Sequence, residues 1–219
     1  MIRGKWMGPI PGKPESTPLG GNDPTKQIIV VEGDNPPMPE MPLNVEVVAN
    51  RIYFYNAINE DTILRLNKAL RETSNKMITY AINNDISDSK IFLHLNSSGG
   101  GLFEGFAAAD TILSSKIPVY TIVEGCAASA ATILSMSGKR RFITKHAYML
   151  IHQLSSAFWG KHEEMQDEMS NLNKLMDMIR TFYKERSKIP MKKLNEILKH
   201  DLYFDAQQCI EYGLVDEII

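Results

Sequence analysis

The chain has 219 residues, with 24 basic and 26 acidic side chains and a formal charge of −2. That balance excludes a global basic field able to hold nucleic acid or an anionic membrane. Hydrophobic residues make up 43% and charged residues 23%, which supports a packed core and excludes wholesale disorder.

Nine of the 11 prolines lie before residue 43. Proline removes a backbone donor and disfavours helix at the residue before it. Residues 1–43 are therefore expected to form a Pro-rich tail or propeptide, with one apolar island at Ile28–Val31. A folded domain is expected over 44–219. Its first segments, Val45–Val48 and Ile52–Tyr55, are β-branched and aromatic, with Asn50-Arg51 as a turn. Asn59-Glu60-Asp61 caps a helix carrying Ile63, Leu64, Leu66 and Leu70. Ile91–Asn96 reads as a strand, 97–101 as a tight turn and Phe103–Leu113 as a helix. Val119–Val123 is a buried strand, and an Ala-rich helix is expected from Gly125 to about Ser137. Arg141–Ile143 and Tyr148–Ile151 read as strands. The longest helix runs from Glu163 to about Arg186, with Met165, Met169, Leu172, Leu175, Met176 and Ile179 three or four apart. Leu194–Leu198 is a short helix, and Ala206–Tyr212 and Leu214–Ile218 close the chain. Such alternation indicates α/β, with parallel strands and helical crossovers.

Two cysteines, Cys126 and Cys209, cannot make a disulfide scaffold or a four-ligand zinc site. No metal and no cofactor are expected. No apolar run approaches the ~20 residues of a membrane span. Met1–Trp6 leads into Pro and Gly rather than an apolar signal region, so the expected compartment is a reducing cytoplasm.

Two turns carry chemical potential. Asn96-Ser97-Ser98-Gly99-Gly100-Gly101 joins a buried strand to a helix. It lacks the Gly-Lys-Ser/Thr or GxGxxG spacing of a phosphate cradle. It suits an oxyanion hole or a plain tight turn. Glu124-Gly125-Cys126-Ala127-Ala128-Ser129-Ala130 then places Ser129 among small residues in the first turn of the next helix. This parallels a nucleophile elbow without being Gly-x-Ser-x-Gly; a helix-capping serine is the plainer reading. A serine nucleophile needs a base and an orienting partner. Of five histidines, His146 and His162 read as solvated and His94 as a satisfied core residue. His152 closes a strand, where α/β folds place functional groups. Asp201 interrupts the apolar approach to Leu202-Tyr203-Phe204, so Ser129, His152 and Asp201 are the candidate triad by residue type.

Asn96–Gly100, Gly125–Ser129, Met149–Gln153 and Glu211–Asp216, in this order and spacing, resemble the successive signatures of ClpP, the proteolytic subunit of the Clp serine proteases. The resemblance runs from about residue 45 to the C-terminus. It implies a ClpP/crotonase-like fold of repeated ββα units with a protruding handle helix. It implies that Ser129 is the nucleophile, His152 the base and Asp201 the orienting carboxylate, with the N–H groups of Gly100 and Ala130 as the oxyanion hole. It further implies protein or peptide substrates, heptameric rings stacked in pairs, a AAA+ unfoldase partner that spends the ATP, and a substrate-pairing strand at Ser155–Gly160.

The departures are specific. The family's Ser-Pro-Gly-Gly is Ser97-Ser98-Gly99-Gly100, and His-Gln-Pro is His152-Gln153-Leu154. The basic residue before the catalytic Asp, tied to inter-ring contacts, is His200. Ala130 stands where many relatives carry a larger side chain. A non-catalytic ClpP-like subunit and a crotonase-like acyl-CoA enzyme are the alternative functions on this fold.

Overall fold

The computed structural model describes residues 45–219; the expected tail and its island at Ile28–Val31 lie outside them. β1 (Val45–Val48) and β2 (Arg51–Phe54) form an antiparallel hairpin through Ala49-Asn50. The turn sits one residue earlier than expected because Arg51 is already in the ladder, opposite Val48. α1 (Glu60–Asn84) starts at a reciprocal cap. The Asn59 side chain accepts from the Thr62 N–H at 2.9 Å, and Thr62 Oγ1 accepts from the Asn59 N–H at 3.1 Å. Ile63, Leu66 and Leu70 share its buried face. Leu64 instead is exposed, because a residue one position from Ile63 lies about 100° around the helix.

The rest of the chain alternates between strands and helices. β3 (Ile91–Ser97), α2 (Leu102–Leu113), β4 (Val119–Ala128), α3 (Ala130–Met136), β5 (Arg140–Ile143) and β6 (Tyr148–Ile151) lead into the long α4 (His162–Arg186). α5 (Met191–Ile197), β7 (Leu202–Phe204), α6 (Ala206–Glu211) and β8 (Glu217–Ile218) complete the domain. One path of the sheet runs β1-β2-β3-β4-β5-β8, parallel from β2 onward. β6 also pairs with β4 in parallel, and β7 pairs antiparallel with β6. Ile52, Phe54, Ile91, Leu93 and Leu95 meet Leu66, Leu70, Leu134 and Met136 in a core without solvent access.

The expected Ala-rich helix starts later than its composition suggests. The strand continues through Gly125 to Ala128, and the helix opens only at Ala130. Between Leu95 and Ser97 the β3–β4 register shifts, with Leu95 opposite Val123 and Ser97 opposite Ala127. Gly125, at φ +80°, provides the left-handed residue of that irregularity. β4 therefore pairs with β5 through Tyr120–Val123 and with β6 through Cys126–Ala128.

The other face of the sheet carries polar groups. His94 is buried and stacks on Tyr53 at 4.5 Å between centroids. Its Nδ1 lies 2.8 Å from Glu124 Oε1, and its Nε2 lies 3.0 Å from Arg51 Nη1. Tyr55 donates its hydroxyl to the same Glu124 carboxylate. His94 is thus the satisfied core residue expected of it. His146 and His162 are exposed, also as expected. Cys209 is fully buried, and burial pushes its thiol up to about 12. Cys126, on the part of β4 beyond Gly125, is half-buried.

α4 is buried only at Ile179, Phe182 and Tyr183. Met165 and Met169 are exposed, so the methionine stripe is not the core of the chain itself. Residues 152–161 form no strand, since the extended segment expected at 155–160 has no neighbouring strand to complete a ladder.

Arg141 ties the C-terminal region together. Its Nη1 donates to the Arg186 and Gly213 carbonyls at 2.7 and 3.0 Å. Its Nε and Nη2 donate to Asp216, whose Oδ2 also accepts the Arg141 N–H at 2.9 Å. Burial acts to raise the Asp216 carboxyl, but the bonds from Arg141 outweigh it and hold the group below the usual carboxylate range. A depressed folded-state value contributes stability above the unfolded value, about 3.9, and that contribution is lost as pH falls through the folded one. Asp216→Asn is therefore expected to lower Tm at pH 7 by about 2–4 °C, the discounted effect of a partly exposed pair. The gap from wild type should close as melting curves are taken down toward pH 3; a gap independent of pH would sink this account.

Candidate active site

The candidate residues converge because three strand ends do. β4 and β6 run parallel with Ala128 opposite Leu150, and the Ser129 N–H donates to the Leu150 carbonyl at 2.8 Å. His152 follows β6 immediately. β7 lies antiparallel to β6 with Leu202 opposite Ile151. One step further along that register sets Asp201 beside His152, and His152 Nδ1 is 2.9 Å from Asp201 Oδ1. The two residues are 49 positions apart in sequence. The His152 side chain is 27% exposed and that of Asp201 76%.

Ser129 is not in the first turn of the helix, as expected, but directly before it, at φ 56° and ψ −125°. This is a strained backbone for a residue with a side chain. It lies at the sharp bend from strand to helix, the geometry of a nucleophile elbow. Ser129, Ala130 and His152 line one cavity of about 390 Å³ with Gly99, Gly100, Ile133, Leu154 and Tyr183.

The glycine turn is locked to the opposite wall. The Ile58 N–H donates to the Gly99 carbonyl at 2.8 Å, and the Gly101 N–H donates to the Ile58 carbonyl at 2.9 Å. A trans peptide points its carbonyl and N–H in opposite directions. The Gly99 carbonyl faces Ile58, so the Gly100 N–H faces the other edge, where β4 and Ser129 lie. At Gly99, with φ +90°, a side chain is excluded: a Cβ there would stand 2.5 Å from the Ala128 carbonyl oxygen and 2.8 Å from Ser129 Cβ.

Two supporting residues escaped the sequence reading. Thr132 Oγ1 donates to the Ser129 carbonyl at 2.6 Å. With its proton so committed, it accepts from the Tyr183 hydroxyl at 2.5 Å. Both side chains are buried. Burial pushes the Tyr183 hydroxyl up to about 12, against a smaller opposite effect of the Thr132 bond, so it stays a neutral donor. A threonine one turn into an Ala-rich helix was a faint signal for Thr132. Tyr183 simply continued the apolar spacing of α4. Among the described residues no group of His, Cys, Asp and Glu side chains is arranged to hold a metal ion, and no helix is long and apolar enough to cross a membrane.

Comparison with known proteins gives a consistent picture. The family model described as Clp protease matches residues 48–219. The chain is 32% identical to the ATP-dependent Clp protease proteolytic subunit of Oryza sativa subsp. indica over 189 residues, covering 82% of this chain and 87% of that one. The Sorghum bicolor protein of the same name is 31% identical over 187 residues, covering 82% and 87%. Among solved structures, a ClpP1 mutant from Listeria monocytogenes superposes with a TM-score of 0.67 at 21% identity, covering 78% of this chain and 91% of that one. The chain belongs to the Clp protease family, and its α/β fold is the ClpP fold.

Replacing Ser129 by Gly removes the cost of a side chain at φ 56°. It should raise the unfolding free energy by about 1–2 kcal/mol in denaturant titrations; no gain would mean that the bend is unstrained. Tyr183→Phe leaves the buried Thr132 oxygen without its donor and should cost about 1–3 kcal/mol by the same measurement.

Proposed function

We propose that this member of the Clp protease family is a serine endopeptidase that cleaves unfolded proteins or peptides through Ser129, His152 and Asp201. The observation that carries the reading is the His152–Asp201 contact of 2.9 Å at the rim of the cavity that Ser129 lines. Asp201 accepts from His152 Nδ1–H, which fixes the tautomer that leaves Nε2 as the base. Ser129 Oγ attacks the scissile carbonyl while His152 Nε2 takes the hydroxyl proton. The Gly100 and Ala130 N–H groups stabilise the oxyanion as it forms. His152 then gives its proton to the departing amine, leaving an acyl group on Ser129. Water, deprotonated by the same imidazole, releases the acid and regenerates the serine.

Thr132 and Tyr183 hold the Ser129 carbonyl from behind, so the hydroxyl is presented by a backbone that is fixed before substrate arrives. The small Ala130 side chain on the cavity wall beside Ser129 leaves room there for a polypeptide chain. In this reading the protein acts in the cytoplasm as heptameric rings stacked in pairs around the sites. The exposed Met165 and Met169 face of α4 is what supports a contact between copies. A AAA+ unfoldase would feed the chamber and supply the ATP-driven step.

The test is intact mass after fluorophosphonate treatment, run beside native mass of the assembly and hydrolysis of a fluorogenic peptide. Wild type should gain one adduct and Ser129→Ala none, with peptide hydrolysis falling by at least about 10³-fold. Asp201→Asn should cost on the order of 10²–10⁴-fold through the wrong tautomer. An assembled ring that neither labels nor cleaves would favour the structural-subunit reading. Tight acyl-CoA binding without peptidase activity would favour the crotonase-like one.

A further inference from the structure

A second cavity, of about 470 Å³, lies between α4, α5 and the segment that follows His152. Met176 and Arg180 line it from α4, Asn195, Leu198 and Lys199 from α5 and the residues just after it, and Gln153 from the active-site side. Gln153 also lines the cavity of Ser129 and His152, so one residue is the wall common to both. Its N–H donates to the Leu198 carbonyl at 2.8 Å, and the next N–H, of Leu154, donates to Met176 Sδ at 3.3 Å. The shared wall is thus anchored to the floor of the second cavity.

The charge in these two cavities has one sign. Among the described residues that line them, Arg180 and Lys199 alone carry a permanent charge. Each has a carboxylate partner outside the lining. Arg180 Nη1 donates to Asp177 at 2.7 Å within α4, and Lys199 Nζ to Glu196 at 2.8 Å across the end of α5; each pair is three residues apart and solvent-accessible. Such pairs are weak and exchangeable. A guanidinium has five N–H donors and an ammonium three; beyond those two bonds the side chains of Arg180 and Lys199 donate to no other described residue. Met176 and Leu198 supply apolar surface for methylene groups, and Asn195 an amide.

We infer that this cavity is a substrate subsite for an acidic side chain, so that the enzyme prefers peptides carrying Glu or Asp a few residues from the cleaved bond. The inference rests on the peptidase reading above and names its substrate class. The carboxylate would sit between Arg180 and Lys199, with the peptide backbone passing Gln153 into the cavity of Ser129. Selection works by charge and by hydrogen bonds to fixed donors rather than by shape.

The experiment uses the full-length assembled protein and two internally quenched peptides that differ only in Glu against Gln around the cleaved bond. The acidic peptide should have the higher kcat/KM by about fivefold at low salt, a ratio suited to two partly exposed charges. That ratio should fall toward one at about 0.5 M salt, where screening shortens to a few ångströms. Arg180→Glu with Lys199→Glu should invert it, so that a Lys-bearing peptide becomes preferred. Equal ratios in wild type, or a preference that survives the double reversal, overturns the subsite. Binding is read separately, by anisotropy of the labelled peptides on Ser129→Ala. Tighter binding of the acidic peptide, lost on charge reversal, upholds the subsite even if wild type hydrolyses neither peptide, in which case only the peptidase reading fails. Equal binding of both peptides counts against the subsite whatever the rates.

Discussion

The structure depends on one strand having two partners. Through Val123, β4 is held by β5; beyond Gly125 it is held by β6. A straight strand would carry on beside β5, and Ala128 would never meet Leu150. The divergence opens a place in the sheet for β6, and β6 brings β7 by an antiparallel ladder. Ser129, His152 and Asp201 stand together because their three strand ends do. The register shift between Leu95 and Ser97 is therefore the geometric source of the site rather than an irregularity near it.

The divergence is buttressed on both sides by polar groups. Glu124, at the departure point, accepts from Tyr55 and pairs with His94, which in turn meets Arg51. Asn96 Oδ1 accepts the Cys126 N–H at 3.3 Å across the gap left by the shift. Of these groups only His94 is buried, so its two partners matter most for keeping that imidazole satisfied. Apolar packing fixes where the sheet lies against its helices, while these directed bonds fix where β4 turns. The same division recurs behind Ser129. Ile133 and Leu134 pack α3, and Thr132 with Tyr183 sets the angle of the serine backbone.

Much of this was legible in the chain, for identifiable reasons. β-branched, aromatic and apolar runs located β1 to β6, and three-to-four spacing located α1 and α4, because these compositions and periods are local signals. The asparagine cap of α1 was readable because capping is local. Gly125 was misread as the end of a strand, since a glycine that stops a strand and one that bends it look alike until the partner strands are known. Leu64 was assigned to the wrong face because composition does not fix rotation about an axis. The pairing of His152 with Asp201 depends on a β6–β7 register spanning 49 residues, and no local rule carries that far; the family resemblance suggested the pair where spacing alone left it open. Arg141 holds Asp216 over 75 residues, and although Asp216 sits in a block that carries the family resemblance, no local spacing points to that partner.

The long separation between these partners also orders events during synthesis. The chain leaves the ribosome N-terminus first, and domains fold as their parts become available. The serine loop, the glycine turn and their flanking strands are complete once β6 has emerged. Asp201, the carboxylate assigned to the imidazole in the proposed mechanism, lies beyond α4 and α5 and reaches His152 only when β7 adds to β6. Contacts of high sequence separation form late because closing the intervening loop costs entropy first. In that mechanism a nascent chain would carry its serine without an oriented base for as long as its last strands are missing. Under the proposed mechanism, the topology by itself would keep a growing chain chemically silent among its unfolded neighbours on the ribosome, before any partner or processing step intervenes.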